Sequence, residues 1–268
     1  MRLNKRQQHE KLFHDSYAAR STLLDVDLDA QFSPAAMEHR YAKRIFKDVK
    51  GKKVLDLGCG FGETAVYWAR EGADVEGIDI SPGMVAIAQK LVQNYAVTKN
   101  CHIQQMAAER LDFPSNSFDY IFGDGILHHV DFMHTLKEVK RVLKDGGIAI
   151  FVEPLAYNPV INMYRTMALE VRTDEERPLR FDDLQSMKTI FPTLKHREYH
   201  FFTLGIFLWY YCVNRIHPNQ ERYWRKLRKT DGVLGVVLQL LSAIDTITLS
   251  LCPPLRKLCW NTVITLRK

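Results

Sequence analysis

Cysteine is scarce and unpatterned: Cys59, Cys101, Cys212, Cys252 and Cys259 form an odd set with no CxxC pair. That argues against a disulfide framework or a cysteine zinc site and fits a reduced, cytoplasmic setting. No Gly-Lys-Ser/Thr follows a glycine loop, which excludes a P-loop. An Asn-Pro-Pro-Tyr type of motif is absent, and no nucleic-acid recognition module is visible, so no nucleic-acid partner is expected. The first residues, MRLNKRQQHEK, hold no apolar run, so a secretory leader is not expected. No long repeat and no low-complexity linker divides the chain.

What is present is an ordinary globular composition with uneven charge. The chain carries +6 overall, but from Arg215 onward ten Lys/Arg stand against Glu221, Asp231 and Asp245, leaving −1 for residues 1–214. A basic tail of this kind suits nucleic acid or anionic lipid, and the missing recognition module favours lipid.

Apolar runs and helical periods alternate through the first 154 residues. Strands are predicted at 53–57, 74–79, 101–105, 118–123 and 148–152. Helices are predicted at 9–20, 35–48, 62–71, 82–96 and 131–144, the last ended by Asp145-Gly146-Gly147. Near-continuous apolar strands between helices predict a mostly parallel sheet covered on both faces. Further helices are predicted at 159–169 and 182–190, with strands at 195–203 and 260–267. Five segments follow: 1–50 covering the site, 51–154 as the binding core, 155–203, an apolar and basic helical insertion at 204–258, and a last strand in 259–268.

The chemistry centres on KKVLDLGCGFGE (52–63), a glycine loop between a strand and a helix N-terminus. A dinucleotide loop, G-x-G-x-x-G, would need glycine at Glu63. Asp56, two residues before Gly58, repels a pyrophosphate but suits an ammonium or sulfonium. Asp79 closes the second strand, placed to accept from both ribose hydroxyls. The loop therefore selects a phosphate-free nucleoside with a cationic tail.

Here the sequence resembles the class I S-adenosylmethionine-dependent methyltransferases. VLDLGCGFGE (54–63) is similar to their first motif and GIDIS (77–81) to their second. AERLDFPSNSFDYIFGDGILHHV (108–130) and RVLKDGGIAIFVEP (141–154) resemble the stretches through their fourth and fifth strands. The resemblance implies a Rossmann-like seven-stranded sheet, S-adenosyl-L-methionine as cofactor, and methyl transfer by in-line displacement. It also implies that Asp56, Gly58 and Gly60 hold the amino-acid end and Asp79 the ribose. Ile80 and Met84 would flank the adenine, Ala108 and Glu109 would meet its polar edge, and Gly123 would floor the methionine. Cys59 would fill space within the loop. Many relatives have Asp where Ala107 stands, so backbone groups of Ala108 would read the adenine here. His14, Asp15 and Tyr17 resemble the segment that folds over the cofactor, with Tyr17 against the sulfonium.

His128 is the candidate general base, on the rim where an acceptor would lie, with a structural or cofactor-lining role as the competing reading, and Glu153 is the second catalytic candidate, facing the same cleft. Glu153 capping the turn at Pro154 is the competing reading. Arg165, Arg172 and Arg180 are candidates for an anionic acceptor. No metal-ligand set is assigned. In the insertion, 232–252 is long enough to cross a bilayer, but pairing of the last two strands forbids a single crossing. The expected alternatives are a lid lining an apolar pocket or contact with an anionic membrane surface through 221–252. In the latter, which basic charge beside aromatics favours, Arg222, Arg225, Lys226, Arg228 and Lys229 face headgroups while Tyr223, Trp224 and Leu227 insert. Both point to a small, apolar or lipid-like acceptor. The competing functions are a methyltransferase for a polar metabolite such as an amino sugar and a cofactor-binding protein that does not methylate.

Overall fold

The apolar run after Lys52 forms β1 (Lys53–Leu57), buried from its second residue onward, in a computed structural model. The structure describes residues 3–21, 26–168, 172–173, 176–217, 219, 223–229 and 232–268. Ahead of β1 lie α1 (Lys5–Arg20), α2 (Leu28–Gln31) and α3 (Met37–Phe46). The alternating core follows as α4 (Glu63–Arg70), β2 (Asp74–Asp79), α5 (Pro82–Asn94), β3 (Cys101–Gln105), β4 (Phe118–Asp124), α6 (Phe132–Val142) and β5 (Leu143–Pro154). Then come α7 (Pro159–Met167), α8 (Phe181–Lys188), β6 (Lys195–Tyr199), α9 (Gly205–Leu208), α10 (Tyr223–Arg228), α11 (Gly232–Leu251) and β7 (Asn261–Arg267).

The seven strands form one sheet in the order β3-β2-β1-β4-β5-β7-β6, parallel except for β7, which runs antiparallel to β5 and β6. Alternation along β5 explains the two covered faces. Ile148, Ile150 and Val152 join the core built with α3, α4 and α5, while Ala149 and Phe151 join the core built with α6 and α8. The mostly parallel seven-stranded sheet is thus the expected fold, with the helical insertion between its last two strands.

Several boundaries depart from the sequence reading, α1 among them, which begins at Lys5 rather than at 9. Helix α6 stops at Val142, and Asp145-Gly146-Gly147 lies within β5 rather than after the helix. The fifth strand also starts earlier than 148 because Phe118 pairs with Leu143. Strand β6 ends at Tyr199, four residues short of 203, because His200 turns to φ +65°. Its ring then bonds Thr203 Oγ1 and Glu38 Oε1, each at 2.9 Å, which fixes the turn.

The insertion leaves β6 and returns beside it, so α11 does not carry β7 across a bilayer. Asp245, buried in mid-helix, accepts from Phe201 N (3.1 Å), Phe202 N (2.7 Å) and Thr203 Oγ1 (3.2 Å). One charged residue in an apolar helix thereby anchors it to the exit of β6.

Candidate active site

The loop after β1 turns through Gly58 and Gly60, at φ +72° and +54°. A Cβ at Gly58 would stand 2.8 Å from Ile126, whereas at Gly60 nothing lies within 4 Å, so the backbone there faces open space. Asp79 Oδ2 accepts from Gly60 N at 3.0 Å and Oδ1 from Ser81 N at 2.9 Å. The carboxylate at the end of β2 thus clamps the glycine loop while facing the cavity. Cys59 is buried beneath the loop, its thiol pushed up by burial and by Asp79, so it fills space and is no nucleophile.

Asp56 is 2% exposed, and its Oδ2 meets no hydrogen-bond donor among the described residues. Burial, reinforced by Asp124 and Glu63, pushes its carboxyl well above the usual range. An orphaned acid in an acidic pocket invites a cation.

A cavity of about 360 Å³ opens over this loop, within the size range of small-molecule sites. Asp56, Gly58, Cys59, Gly60, Asp79, Ile80, Met84, Ala108, Glu109 and His128 all line it. Gly123 is not among the lining residues. A Cβ there would meet Ile126 at 2.7 Å and Phe151 at 2.8 Å, so this glycine permits close packing behind the wall.

Helix α1 closes one side. Asp15 accepts from Ser81 Oγ (2.5 Å) and Gly83 N (3.1 Å), docking α1 on the start of α5. Tyr17 stacks on Phe61 of the glycine loop at 5.6 Å. Arg6 and Gln7 hold Glu109 at 2.6 and 3.0 Å, a clamp the sequence reading missed. Nothing in the local pattern marks it, since the partners lie about a hundred residues apart.

Glu153 corrects its expected orientation. It is fully buried, does not line the cavity, and does not cap the turn at Pro154. Its Oε1 accepts from Ile126 N (3.0 Å) and Leu127 N (2.7 Å), and its Oε2 meets His128 Nδ1 at 2.7 Å. Burial raises its carboxyl to about 8 despite those N–H groups. Burial, with the neighbouring His129, holds His128 well below the usual imidazole range. The pair is therefore uncharged at neutral pH, and Glu153 positions the ring of His128.

The basic segment of the insertion also departs from the favoured headgroup reading. Tyr223 and Leu227 of α10 are buried against Tyr164, Phe207 and Tyr210, not free to insert in lipid. Arg228 bonds Asp124 Oδ2 (2.9 Å) and Gln31 Oε1 (2.7 Å). Against the cost of burial, that guanidinium and His39 hold the Asp124 carboxyl below its usual range. Arg225 lies 5.0 Å over the Phe61 ring and 4.0 Å from Glu63, and Trp224 lines the cavity. Lys226 lies 5.7 Å over the Tyr210 ring, and Lys229 reaches Asp27 at 3.8 Å. Acids distant in sequence draw these charges inward, and Arg225 of α10 packs on Phe61 of the glycine loop. Arg222 lies outside the described residues.

The candidate anion-binding arginines are engaged elsewhere. Arg165 lines the cavity but donates to Leu155 O (3.0 Å) and Asn162 Oδ1 (2.8 Å), and Arg172 donates to Glu176 at 2.6 Å. Arg180 starts α8 and does not line the cavity.

Residues 55–151 match the methyltransferase domain family. Over that stretch the chain is similar to methyltransferase domains. Among curated proteins it is similar to a demethylmenaquinone methyltransferase of Chlorobaculum parvum, 37% identical over 126 residues, or 45% of this chain and 50% of that one. A Bacillus licheniformis protein of the same name is 27% identical over 180 residues, covering 59% of this chain and 76% of its own. The matched stretch spans about half the length of several such relatives. Among solved structures, Haemonchus contortus phosphoethanolamine N-methyltransferase 2 in complex with S-adenosyl-L-methionine superposes with a TM-score of 0.60 at 19% identity. That likeness covers 95% of this chain and 60% of the other, and it shows the methyltransferase fold.

Proposed function

We propose that the chain is an S-adenosylmethionine-dependent methyltransferase for a small, apolar, lipid-like acceptor. The observation that carries this reading is one cavity with two unlike walls. The first is the glycine loop with its carboxylates; the second includes Ile161, Tyr164, Trp224 and Trp260.

S-adenosylmethionine fits the first wall. The orphaned Asp56 suits the ammonium, Gly60 leaves room for close approach, and Asp79 suits the ribose hydroxyls. Ile80 and Met84 stand beside the adenine position, with Ala108 and Glu109 at its edge. When bound, the cofactor supplies an electrophilic methyl group on a sulfonium. The chain's own residues orient the acceptor, exclude water through α1 and α10, and manage one proton. With Nδ1 turned to Glu153, His128 has Nε2 left for an acceptor that must lose a proton.

Three observations favour an apolar acceptor over an amino sugar. Glu153 is walled off, and Arg165 and Arg172 are already engaged. The curated relatives are named for demethylmenaquinone, a lipid-soluble substrate class. Finally, Val233, Val237, Leu240, Ile244, Ile247 and Leu251 form a stripe at helical spacing along α11, 41–82% exposed, while Leu238, Asp245 and Leu249 are buried. A stripe this long on a helix that cannot span fits an interfacial helix on a bilayer, the source of an apolar acceptor.

The deciding experiment is transfer of labelled methyl from S-adenosylmethionine into organic and aqueous extract fractions. Label is expected in the organic fraction. Label confined to the aqueous fraction would overturn the acceptor class, and absence of label with intact donor binding would support the non-methylating reading.

The membrane contact has its own test. With Arg225 and Arg228 drawn into the fold, apolar burial dominates, so co-sedimentation with liposomes should persist in neutral lipid. Leu240→Glu with Ile247→Glu should reduce the bound fraction at least about tenfold, since each loses roughly 1.5–3 kcal/mol of burial. Unchanged sedimentation of that variant would sink the contact.

A further inference from the structure

Glu10 and His14 lie one turn apart on α1, and His129 follows His128 in the loop after β4. The three come from segments more than a hundred residues apart, yet all line the cavity. Glu10 Oε2 stands 3.0 Å from His129 Nδ1 and 3.6 Å from His14 Nε2. All three donor atoms lie within 4.8 Å of one another.

Glu10 is 4% exposed. Its Oε1 accepts from Thr173 Oγ1 at 2.8 Å, which fixes the carboxylate. Its Oε2, however, has no hydrogen-bond partner of adequate geometry among the described residues, and neither does His129 Nδ1. The two atoms face each other as an ion pair outside hydrogen-bond geometry, so a cation held by both would complete the bonding of each. On the far side of the ring, His129 Nε2 faces Glu176 Oε1 at 3.8 Å, and Arg172 in turn holds Glu176. A metal-bound imidazole commonly has a carboxylate behind its other nitrogen in this way.

We propose that Glu10, His14 and His129 form a binding site for a divalent transition-metal ion, of the class of Zn²⁺, Mn²⁺ or Fe²⁺. Metal–ligand bonds of about 2.1 Å set tetrahedral donor atoms about 3.4 Å apart, close to the spacings here. Two imidazoles and one carboxylate suit these borderline cations and leave coordination positions open. The overlapping set of His128, His129 and Glu176 is the poorer one. His128 Nδ1 is engaged with Glu153, and Glu176 Oε2 with Arg172. The site stands on these three side chains and does not depend on the identity of the methyl acceptor.

The test is titration of the full-length, chelator-treated protein with CoCl₂, followed by its visible d–d absorption. Saturation at one ion per chain is expected, with affinity weakened at least about tenfold in Glu10→Gln and in His14→Gln. Thermal unfolding of each variant distinguishes a lost ligand from a lost fold, and His14, the more exposed of the two, tolerates substitution better. The wild type decides alone in one direction. Folded wild-type protein that develops no d–d absorption overturns the site, as does a spectrum unaltered in both folded variants.

Discussion

Asp79→Ala is expected to weaken S-adenosylmethionine binding by about 10²-fold or more, measured by calorimetric titration. The carboxylate accepts Gly60 N and Ser81 N on its two oxygens. These contacts aim it into the cavity before any ligand arrives, so little ordering cost remains on binding. Two hydrogen bonds from ribose hydroxyls to a charged acceptor contribute about 1.5–3 kcal/mol each. Losing both, and with them the clamp on the Gly60 turn, gives the stated factor as a lower bound. Asp79→Asn keeps the size and one acceptor oxygen, so its loss should be smaller. A dissociation constant within about threefold of wild type in a folded Asp79→Ala protein would remove Asp79 from the donor site.

Much of this wall was legible because its parts are local. The strand–glycine–helix turn, the acid two residues before Gly58 and the acid closing the next strand all lie within residues 53–79. Strands β1, β2 and β3 fall at the expected limits. What could not be read depends on distant partners. The composition of α10, basic with aromatics, is the same for a lid as for a membrane helix. Its partners Asp124 and Gln31, 104 and 197 residues from Arg228, turn that charge inward. The α11 stripe lies in the same apolar run as its buried side, and the anchor at Asp245 with the packing of Leu238 and Leu249 sets which side faces out. Its position at the end of a strand predicts Glu153 in the cleft. The backbone N–H groups of 126–128, a turn with no sequence signature for it, draw the side chain inward instead.

That inward turn makes the pH dependence of His128 the sharpest test of the proposed mechanism. At neutral pH the buried pair is uncharged, and Glu153 Oε1 is already filled by two N–H donors. The carboxyl proton therefore sits on Oε2 and is donated to His128 Nδ1, leaving the ring proton on Nε2, where it blocks base function. As pH rises through about 8, Glu153 ionises. The ring proton then moves to Nδ1, held by the carboxylate, and Nε2 becomes a free lone pair. The rate for an acceptor that must lose a proton should accordingly rise with pH, with an apparent midpoint near 8. His128→Ala should lower kcat by about 10²–10⁴-fold with donor binding little changed, the usual worth of a general base. Glu153→Gln keeps the shape of the buried side chain but cannot ionise, so it should abolish the rise rather than merely lower the rate. A Glu153→Gln enzyme that folds and keeps the same pH profile would exclude the pair from proton transfer. A His128→Ala enzyme with full kcat would assign catalysis to positioning of donor and acceptor alone.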